Sequence, residues 1–576
     1  VDGLSTKTLY TLEKGGMRME HRIWHKAYAP EVPTSIEYEM VTMPQALERT
    51  VTRFPDHVAL VMLGKKITYR ELDDQIKRLA AALADLGIRK GDKVAVMLPN
   101  IPQVIMASYA VFLLGGVVVM HNPLYTEREL EHQLNDSCCT MAICLDLLVP
   151  RILKLKPRTK IKSVIACHIR DYLPFPKKQL FPFVKKALHR PVGPGEEVLD
   201  FPDLIKKYRP DPPKTELTID DLAAFLYTGG TTGVSKGVML THRNLTINVQ
   251  QLKGWFHDSE DGKESILGIF PIFHAAGFTV VMNHSLFRGF KVVLIPKPEA
   301  GIILQMTRNH RPNIFTCVPT IFAGLLAHPV LAKTDLSCIR WTVSGAAPLP
   351  VELIRKWEKA TGSTIVECYG LSETTLLSHA NPWGGVTKVG SVGVPVSDTE
   401  CRIVDLETGT KAMEIGQAGE VLLKGPQLTQ GYYEKPDETA LAFRDGWFYT
   451  GDIGYMDDDG YLFIVDRKKD MIIAGGFNIY PRDIDEVLYE HPKVQEACAV
   501  GVPDPYRGET VKAFVVTKSG ETLTGEEIMA FCRERLTAYK VPKLVEFMAE
   551  LPKSTVGKVL RRKLREMELE RAKKEA

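Results

Sequence analysis

The sequence predicts an α/β chain of two domains: a large N-terminal domain with several subdomains, one of them β-rich, and a small C-terminal α/β domain. Three observations carry this. At 576 residues the chain outgrows a single hydrophobic core. Between residues 43 and 319, short apolar runs alternate with segments of helical periodicity, the pattern of a mainly parallel sheet covered by helices. From 384 to 465 the pattern changes to short strands between glycine turns, and after the charged run DRKKD at 466–470 helix and strand alternate again.

Taken in order, MPQALERTVTRFPDH at 43–57 has helical spacing up to a proline turn, and ALVMLGKKITY reads as a strand hairpin. RELDDQIKRLAAALADLGI reads as a long helix stopped by Gly87. DKVAVMLPN is a short strand; a helix, Gly115–Gly116 and the strand VVVM follow. CCTMAICLD, IKSVIAC, ESILGIFPIF, KVVLIP and NIFTCVP read as further buried strands. These elements set a first domain at 1–465, a hinge at 466–470 and a second domain at 471–576.

Composition excludes several classes. With 45% hydrophobic and 25% charged residues the chain is globular rather than disordered. A net charge of +3 gives no case for nucleic-acid binding. The ten cysteines show no repeated CxxC spacing, so neither a zinc site nor a disulfide framework is expected and a reducing, cytoplasmic setting fits. No uninterrupted apolar stretch reaches the roughly 18 residues of a membrane span. One segment stands apart: HIRDYLPFPKKQLFPFVKKALHR at 168–190 sets six Lys/Arg and one Asp among aromatics and prolines. It reads either as a solvated excursion or as a face for an anionic lipid surface.

The most informative stretch is YTGGTTGVSKG at 227–237. Gly229, Gly230 and Gly233 let backbone N–H groups approach an anion; Thr228, Thr231 and Thr232 add hydroxyls, and Lys236 adds charge. The flanks DLAAFL and VMLTHRNLTINV read as strand and helix, which sets the loop at a strand-to-helix turn. The order is neither that of a Walker A loop nor the GxGxxG of a dinucleotide fold.

This loop resembles the phosphate-binding signature of the adenylate-forming superfamily, and most closely that of long-chain fatty-acid CoA ligases. The resemblance spans about residues 35–570. One departure is Ser235, where the family usually has proline. SGAAPLP at 344–350, with Gly345, Ala346 and Ala347, resembles the adenine-side loop, and in VECYGLSETT the resemblance implies that Tyr369 and Gly370 meet adenine while Glu373 holds Mg²⁺. It likewise implies Asp452 as a ribose hydroxyl acceptor with Arg467 as its partner, Lys469 as hinge pivot, and Gly475 and Gly476 as the wall of a coenzyme A passage. Lys558, in LPKSTVGKVLRR, resembles the family lysine that reaches the carboxylate and α-phosphate; read without the family it is one of nine Lys/Arg in a basic terminus. His274 resembles the carboxylate-end residue of the acyl pocket, Ala275, Ala276 and Gly277 leave room beside it, and Phe278 falls where related enzymes carry a tunnel gate.

The activity so implied is activation of a long-chain fatty acid with Mg-ATP to an acyl-adenylate, then transfer to coenzyme A with release of AMP and pyrophosphate, the small domain turning between the halves. Lys558, Glu373 and Thr228 are the expected catalytic residues. Fatty acid, ATP and CoA are the expected partners; the resemblance allows a homodimer and peripheral contact with the inner face of the cell membrane. The alternatives are a ligase for medium-chain or aromatic acids, or an inactive ATP-binding scaffold that contacts lipid.

Overall fold

The computed structural model describes residues 22–193, 197–229, 235–347, 349–474, 477–504, 506–554 and 557–575. Among them, two sheets rather than one organise the large domain. A nine-stranded sheet runs in the order Val394–Pro395, His379–Ala380, Ile365–Tyr369, Trp341–Ser344, Ile314–Cys317, Ser265–Gly268, Lys291–Leu294, Val58–Met62, Lys65–Thr68. Its middle is parallel and its two edges are antiparallel. A seven-stranded sheet runs Leu199–Asp200, Ser163–Cys167, Met141–Leu145, Lys93–Met97, Val117–Met120, Leu222–Gly229, Ser235–Thr241, all parallel except its last pair.

Local sequence accounts for these elements. Val117–Met120 and Met141–Leu145 are buried at every position, the mark of strands covered on both faces. Helix Tyr69–Asp85 begins with a reciprocal cap between Thr68 and Glu71, and ends ahead of Gly87 at φ +96°. Helix Glu127–Asp136 is opened the same way by Thr126 and Glu129.

The β-rich subdomain is a five-stranded antiparallel sheet of Glu400–Val404, Gly419–Lys424, Phe443–Arg444, Trp447–Met456 and Leu462–Arg467. Its last strand includes Asp466 and Arg467, so the change of domain falls in the turn 468–470, two residues past the expected start of the junction. Beyond it, Ile472–Ala474, Phe477–Ile479, Val494–Asp504, Gly508–Thr517 and Leu544–Phe547 form the sheet of the small domain, packed on helices Pro481–Glu490 and Gly525–Arg533.

The excursion 168–190 is pinned at both ends by one carboxylate. Asp146, fully buried at the end of strand Met141–Leu145, accepts from His168 Nδ1 at 2.8 Å, His189 Nδ1 at 3.1 Å and the Arg190 amide at 2.9 Å. His168 Nε2 also meets Asp200 at 3.0 Å. Burial pulls the His168 imidazolium down, but Asp146 and Asp200 outweigh it and push its pKa up to about 9. A folded value above the ordinary 6.5 stabilises the fold fully below about 6.5 and loses that contribution as pH rises through about 9. Urea unfolding of the wild type and His168→Gln should therefore differ most at pH 6 and converge towards pH 10; a gap that is constant with pH would contradict the charged pairing.

Candidate active site

The C-terminal edges of both large sheets, the β-rich subdomain and the small domain converge on one cavity of about 680 Å³. Thr228, Lys236, His274, Ala275, Gly345, Ala346, Tyr369, Gly370, Glu373, Arg467, Lys469 and Lys558 line it. A second cavity of about 860 Å³ adjoins it, shares Ala346, Tyr369, Gly370, Arg467 and Lys558 with it, and adds Ala347 and Asp452. Residues as far apart in the chain as Thr228 and Lys558 thus meet in one place. Gly230, Thr231, Thr232, Gly233, Gly475 and Gly476 lie outside the described residues.

The phosphate-type loop is borne by a hairpin, not by a strand-to-helix turn as its flanks suggest. Leu222–Gly229 pairs antiparallel with Ser235–Thr241, and the helix starts only at His242 behind a Thr241 cap. The residues VMLT, which open the expected helix VMLTHRNLTINV, belong instead to the strand, because their apolar side chains are equally compatible with either element. In the hairpin Thr228 faces Lys236, and Tyr227 and Ser235 lie on the opposite face. That opposite face is fastened to helix Glu127–Asp136. Tyr227 Oη donates to Asp136 at 2.7 Å, Gln133 Nε2 donates to the Ser235 hydroxyl at 3.1 Å, and His132 Nε2 meets the Ser235 carbonyl at 3.1 Å. Gln133 is itself held by His121 Nδ1 at 2.8 Å, and burial pulls His121 down to about 4, so it is the neutral donor. Ser235, the departure from the family pattern, thus has a specific partner.

On the cavity side the Lys236 ammonium pairs with Glu438 and lies 4.9 Å from the centre of the Tyr432 ring. Tyr432 Oη donates to Glu373 at 2.9 Å. Burial raises the Glu373 carboxyl above its ordinary range. Tyr432, Glu438 and Gln133 escaped the sequence reading: each acts through a partner distant in sequence, and QGYYEKPDE carries no motif that marks it.

Asp452 and Arg467 are register partners across adjacent antiparallel strands, with Arg467 Nε 2.9 Å from Oδ1 of Asp452. Tyr369 Oη donates to the other oxygen at 2.6 Å. Gly370, next in the chain, lets the backbone pass close to residue 376: a Cβ there would sit 1.4 Å from the Leu376 carbonyl oxygen. Ala346, beside Gly345, holds φ +68°, an uncommon value for a residue with a side chain.

Lys558 comes from the small domain. Its amide donates to the Ser554 hydroxyl at 3.1 Å, and Gly557, at φ +78°, brings the chain so close to the large domain that a Cβ would lie 2.3 Å from Thr320 Oγ1. The Arg467 charge, and after it burial, pull the Lys558 ammonium down to about 8. Burial, and after it the Lys558 charge, pull His274 down to about 4, so its imidazole is neutral near pH 7. Lys469 is pulled down by burial and by Arg467.

Two acyl-side expectations differ from the structure. Phe278 is fully buried, edge-on to Phe112 at 6.4 Å, and is not among the residues lining the cavity. Gly277 is also absent from the lining; a Cβ there would meet the Pro271 carbonyl oxygen at 2.1 Å, so its smallness serves packing. Both belong to the π-helical segment Gly277–His284, whose i→i+5 bonding changes the angular spacing of side chains from that of an α-helix, and Ala275 and Ala276 just before it face the cavity instead.

A family model described as AMP-binding enzyme matches residues 47–433, and one described as AMP-binding enzyme C-terminal domain matches 483–558. The chain belongs to the AMP-binding enzyme family. It is 47% identical over 555 residues to the long-chain-fatty-acid–CoA ligase of Bacillus subtilis strain 168, covering 95% of this chain and 98% of that protein. It is 40% identical to the namesake of Escherichia coli O157:H7 over the same shares. Among solved structures it matches ATP-bound MatB from Rhodopseudomonas palustris with TM-score 0.81 at 30% identity, covering 92% of this chain and 99% of that one. It matches the anthranilate CoA ligase AuaEII in complex with anthranoyl-AMP with TM-score 0.83 at 26% identity, covering 92% and 98%. As an AMP-binding enzyme, the chain is an ATP-dependent, AMP-forming acyl-CoA ligase that uses ATP and CoA.

The clamp on Ser235 gives a direct test. Gln133→Ala and Ser235→Ala should each lower kcat/KM for ATP in pyrophosphate exchange about tenfold, the scale of one hydrogen bond in a positioned site. The double variant should be no worse than either single one; additive losses would contradict the clamp.

Proposed function

We propose that this ligase activates long-chain fatty acids and that the residues converging on the cavity divide the work as follows. Thr228 and Lys236 bind the β- and γ-phosphates, together with Gly229, Gly230, Thr231, Thr232 and Gly233. Tyr369 and the 345–347 loop take adenine, and Asp452 with Arg467 takes the ribose. Lys558 lies against the acyl carboxylate and the α-phosphate. A fatty carboxylate is already ionised near neutral pH, so no general base is required, and neutral His274 serves to orient it. One carboxylate oxygen bonds to the α-phosphorus as the bond to pyrophosphate breaks, and the Lys558 ammonium stabilises the charge that accumulates. The CoA thiol then attacks the acyl carbonyl and AMP leaves.

Glu373 suits Mg²⁺: it is a buried carboxylate on the cavity wall with a hydroxyl donor on one oxygen, and Mg²⁺ held there would neutralise phosphate charge. Between the halves the small domain turns about the 466–470 junction, with Lys469 as pivot, which withdraws Lys558 and brings Gly475 and Gly476 to the CoA passage.

The observation that carries the long-chain reading is the apolar wall of the cavity. Behind His274 and Ala275 it continues through Ile266, Phe270, Val280, Phe290 and Ile314, and each buried methylene adds about 0.8 kcal/mol of affinity. The similarity to long-chain ligases over nearly the whole chain points the same way.

A second observation supports contact with a lipid surface. In the excursion 168–190, Phe175, Phe183 and Val184 are 83%, 74% and 70% exposed, beside exposed Lys177, Lys178, Lys185 and Lys186. Aromatic and basic groups side by side suit an anionic bilayer, and no helix among the described residues is long and apolar enough to cross one. On this reading the enzyme works in the cytoplasm, peripheral to the inner face of the cell membrane.

Two outcomes follow. With a free-enzyme value of about 8 for Lys558, kcat/KM for ATP in the adenylation half should be level below pH 8 and fall as pH rises through it. Lys558→Ala should lower it about 100-fold and remove that limb; full activity in the variant would contradict the role. Co-sedimentation should show binding to phosphatidylglycerol vesicles but not to phosphatidylcholine ones, weakened by salt and abolished by Phe175→Ser with Phe183→Ser. Equal binding by wild type and variant would contradict the contact.

A further inference from the structure

The cavity residues on the nine-stranded sheet alternate. Along Trp341–Ser344 they are Trp341 and Val343, then Gly345 beyond the strand end; along Ile314–Cys317 they are Ile314 and Thr316; along Ile365–Tyr369, Val366 and Cys368 lead to Gly370. Alternation at every second residue puts these on one face; Tyr369, at the end of its strand, lines the cavity as well. The residues between, Phe315, Cys317 and Ile365, pack into the core on the other face. These strands are parallel, so the catalytic groups gather past their C-terminal ends and the cavity runs back along the sheet towards their first residues.

There it meets a row in register. Ile266 pairs with Ile314, and Ile314 with Trp341, so the three side chains lie level across the sheet. Trp341 is the largest of them, is 1% exposed, and is fixed on two sides. Its Nε1 donates to Asp258 at 3.2 Å, and the Arg340 guanidinium lies 4.0 Å from its ring centre while pairing with the same aspartate at 3.1 Å. A ring bonded at its nitrogen and capped by a cation has little freedom to swing aside.

We propose that Trp341 is the floor of the acyl channel and sets the longest chain the enzyme activates; this rests on the fatty-acid reading above. Trp341 opens its strand, four residues before Gly345 at the C-terminal end, so the row it shares with Ile266 and Ile314 is the deep end of the cavity on this sheet. Thr316 lies halfway down, in register with Val343, and its Oγ1 is buried with no hydrogen-bond partner among the described residues. Enlarging it to leucine narrows the channel without breaking a bond.

The test is pyrophosphate exchange across saturated acids from octanoate to octadecanoate. The readout is the ratio of kcat/KM for hexadecanoate to that for decanoate. Trp341→Ala should raise this ratio about tenfold or more, the worth of two or more additional buried methylenes, and Thr316→Leu should lower it by a similar factor. Unchanged ratios in both variants overturn the floor. Should Trp341→Ala fail to fold, Thr316→Leu alone decides, and an unchanged ratio there also overturns the proposal. A wild type active on benzoate but on no fatty acid of the panel overturns the fatty-acid reading instead, a result that the ratio in the variants cannot mimic.

Discussion

The pairing of Asp452 with Arg467 is the constraint on which the rest of the site depends. The two are opposite each other in adjacent antiparallel strands, so the backbone ladder brings the charges together before any ligand arrives. Tyr369, from a different sheet, closes onto the free oxygen of Asp452, which ties the nine-stranded sheet to the β-rich subdomain. Arg467 is also the last strand residue before the turn 468–470, and its charge is the chief influence that lowers the Lys558 ammonium. A buried charge whose partner is removed is costly. The same arginine that pairs with Asp452 thus also acts on the lysine contributed by the small domain.

Two-residue alternation solves the remaining problem, which is to hold reactive groups rigidly while leaving them open to ligand. The 222–241 hairpin turns Tyr227 and Ser235 towards helix Glu127–Asp136, where hydrogen bonds fasten them, and presents Thr228 and Lys236 on the other side. The nine-stranded sheet uses the same device, with one face in the core and the other bare towards the cavity. Support and function are thus separated by the pleat rather than by distance along the chain. On the proposed reading, phosphates lie at one end of the cavity, an apolar chain at the other, and the Lys558 ammonium between them.

Much of this was legible in the sequence, for identifiable reasons. Strands such as VVVM and helices such as RELDDQIKRLAAALADLGI carry strong period and clear stops, and both formed as expected. Glu373, Lys236, Tyr369 and Lys558 sit in ordered motifs, and the structure brings them to one cavity. What failed to show was anything fixed by register or pitch. VMLT has no period that separates strand from helix, so the sequence suggests a longer helix where the structure has the second strand of a hairpin. Phe278 and Gly277 follow two small alanines and read as channel wall, but they lie in a π-helical segment and are buried in the core. Gln133 and Tyr432 matter through partners about 100 and 60 residues away, Ser235 and Glu373, a relation no local pattern expresses.

On the proposed reading, the cavity joins a fatty carboxylate to the α-phosphate of ATP before CoA reacts. Dodecanoate labelled with ¹⁸O in its carboxylate, incubated with the wild-type enzyme, ATP and CoA, tests this most directly. The expected result is ¹⁸O in the phosphate group of the AMP released and none in pyrophosphate. Label appearing in inorganic phosphate with ADP as the nucleotide product, or AMP free of label, would contradict it.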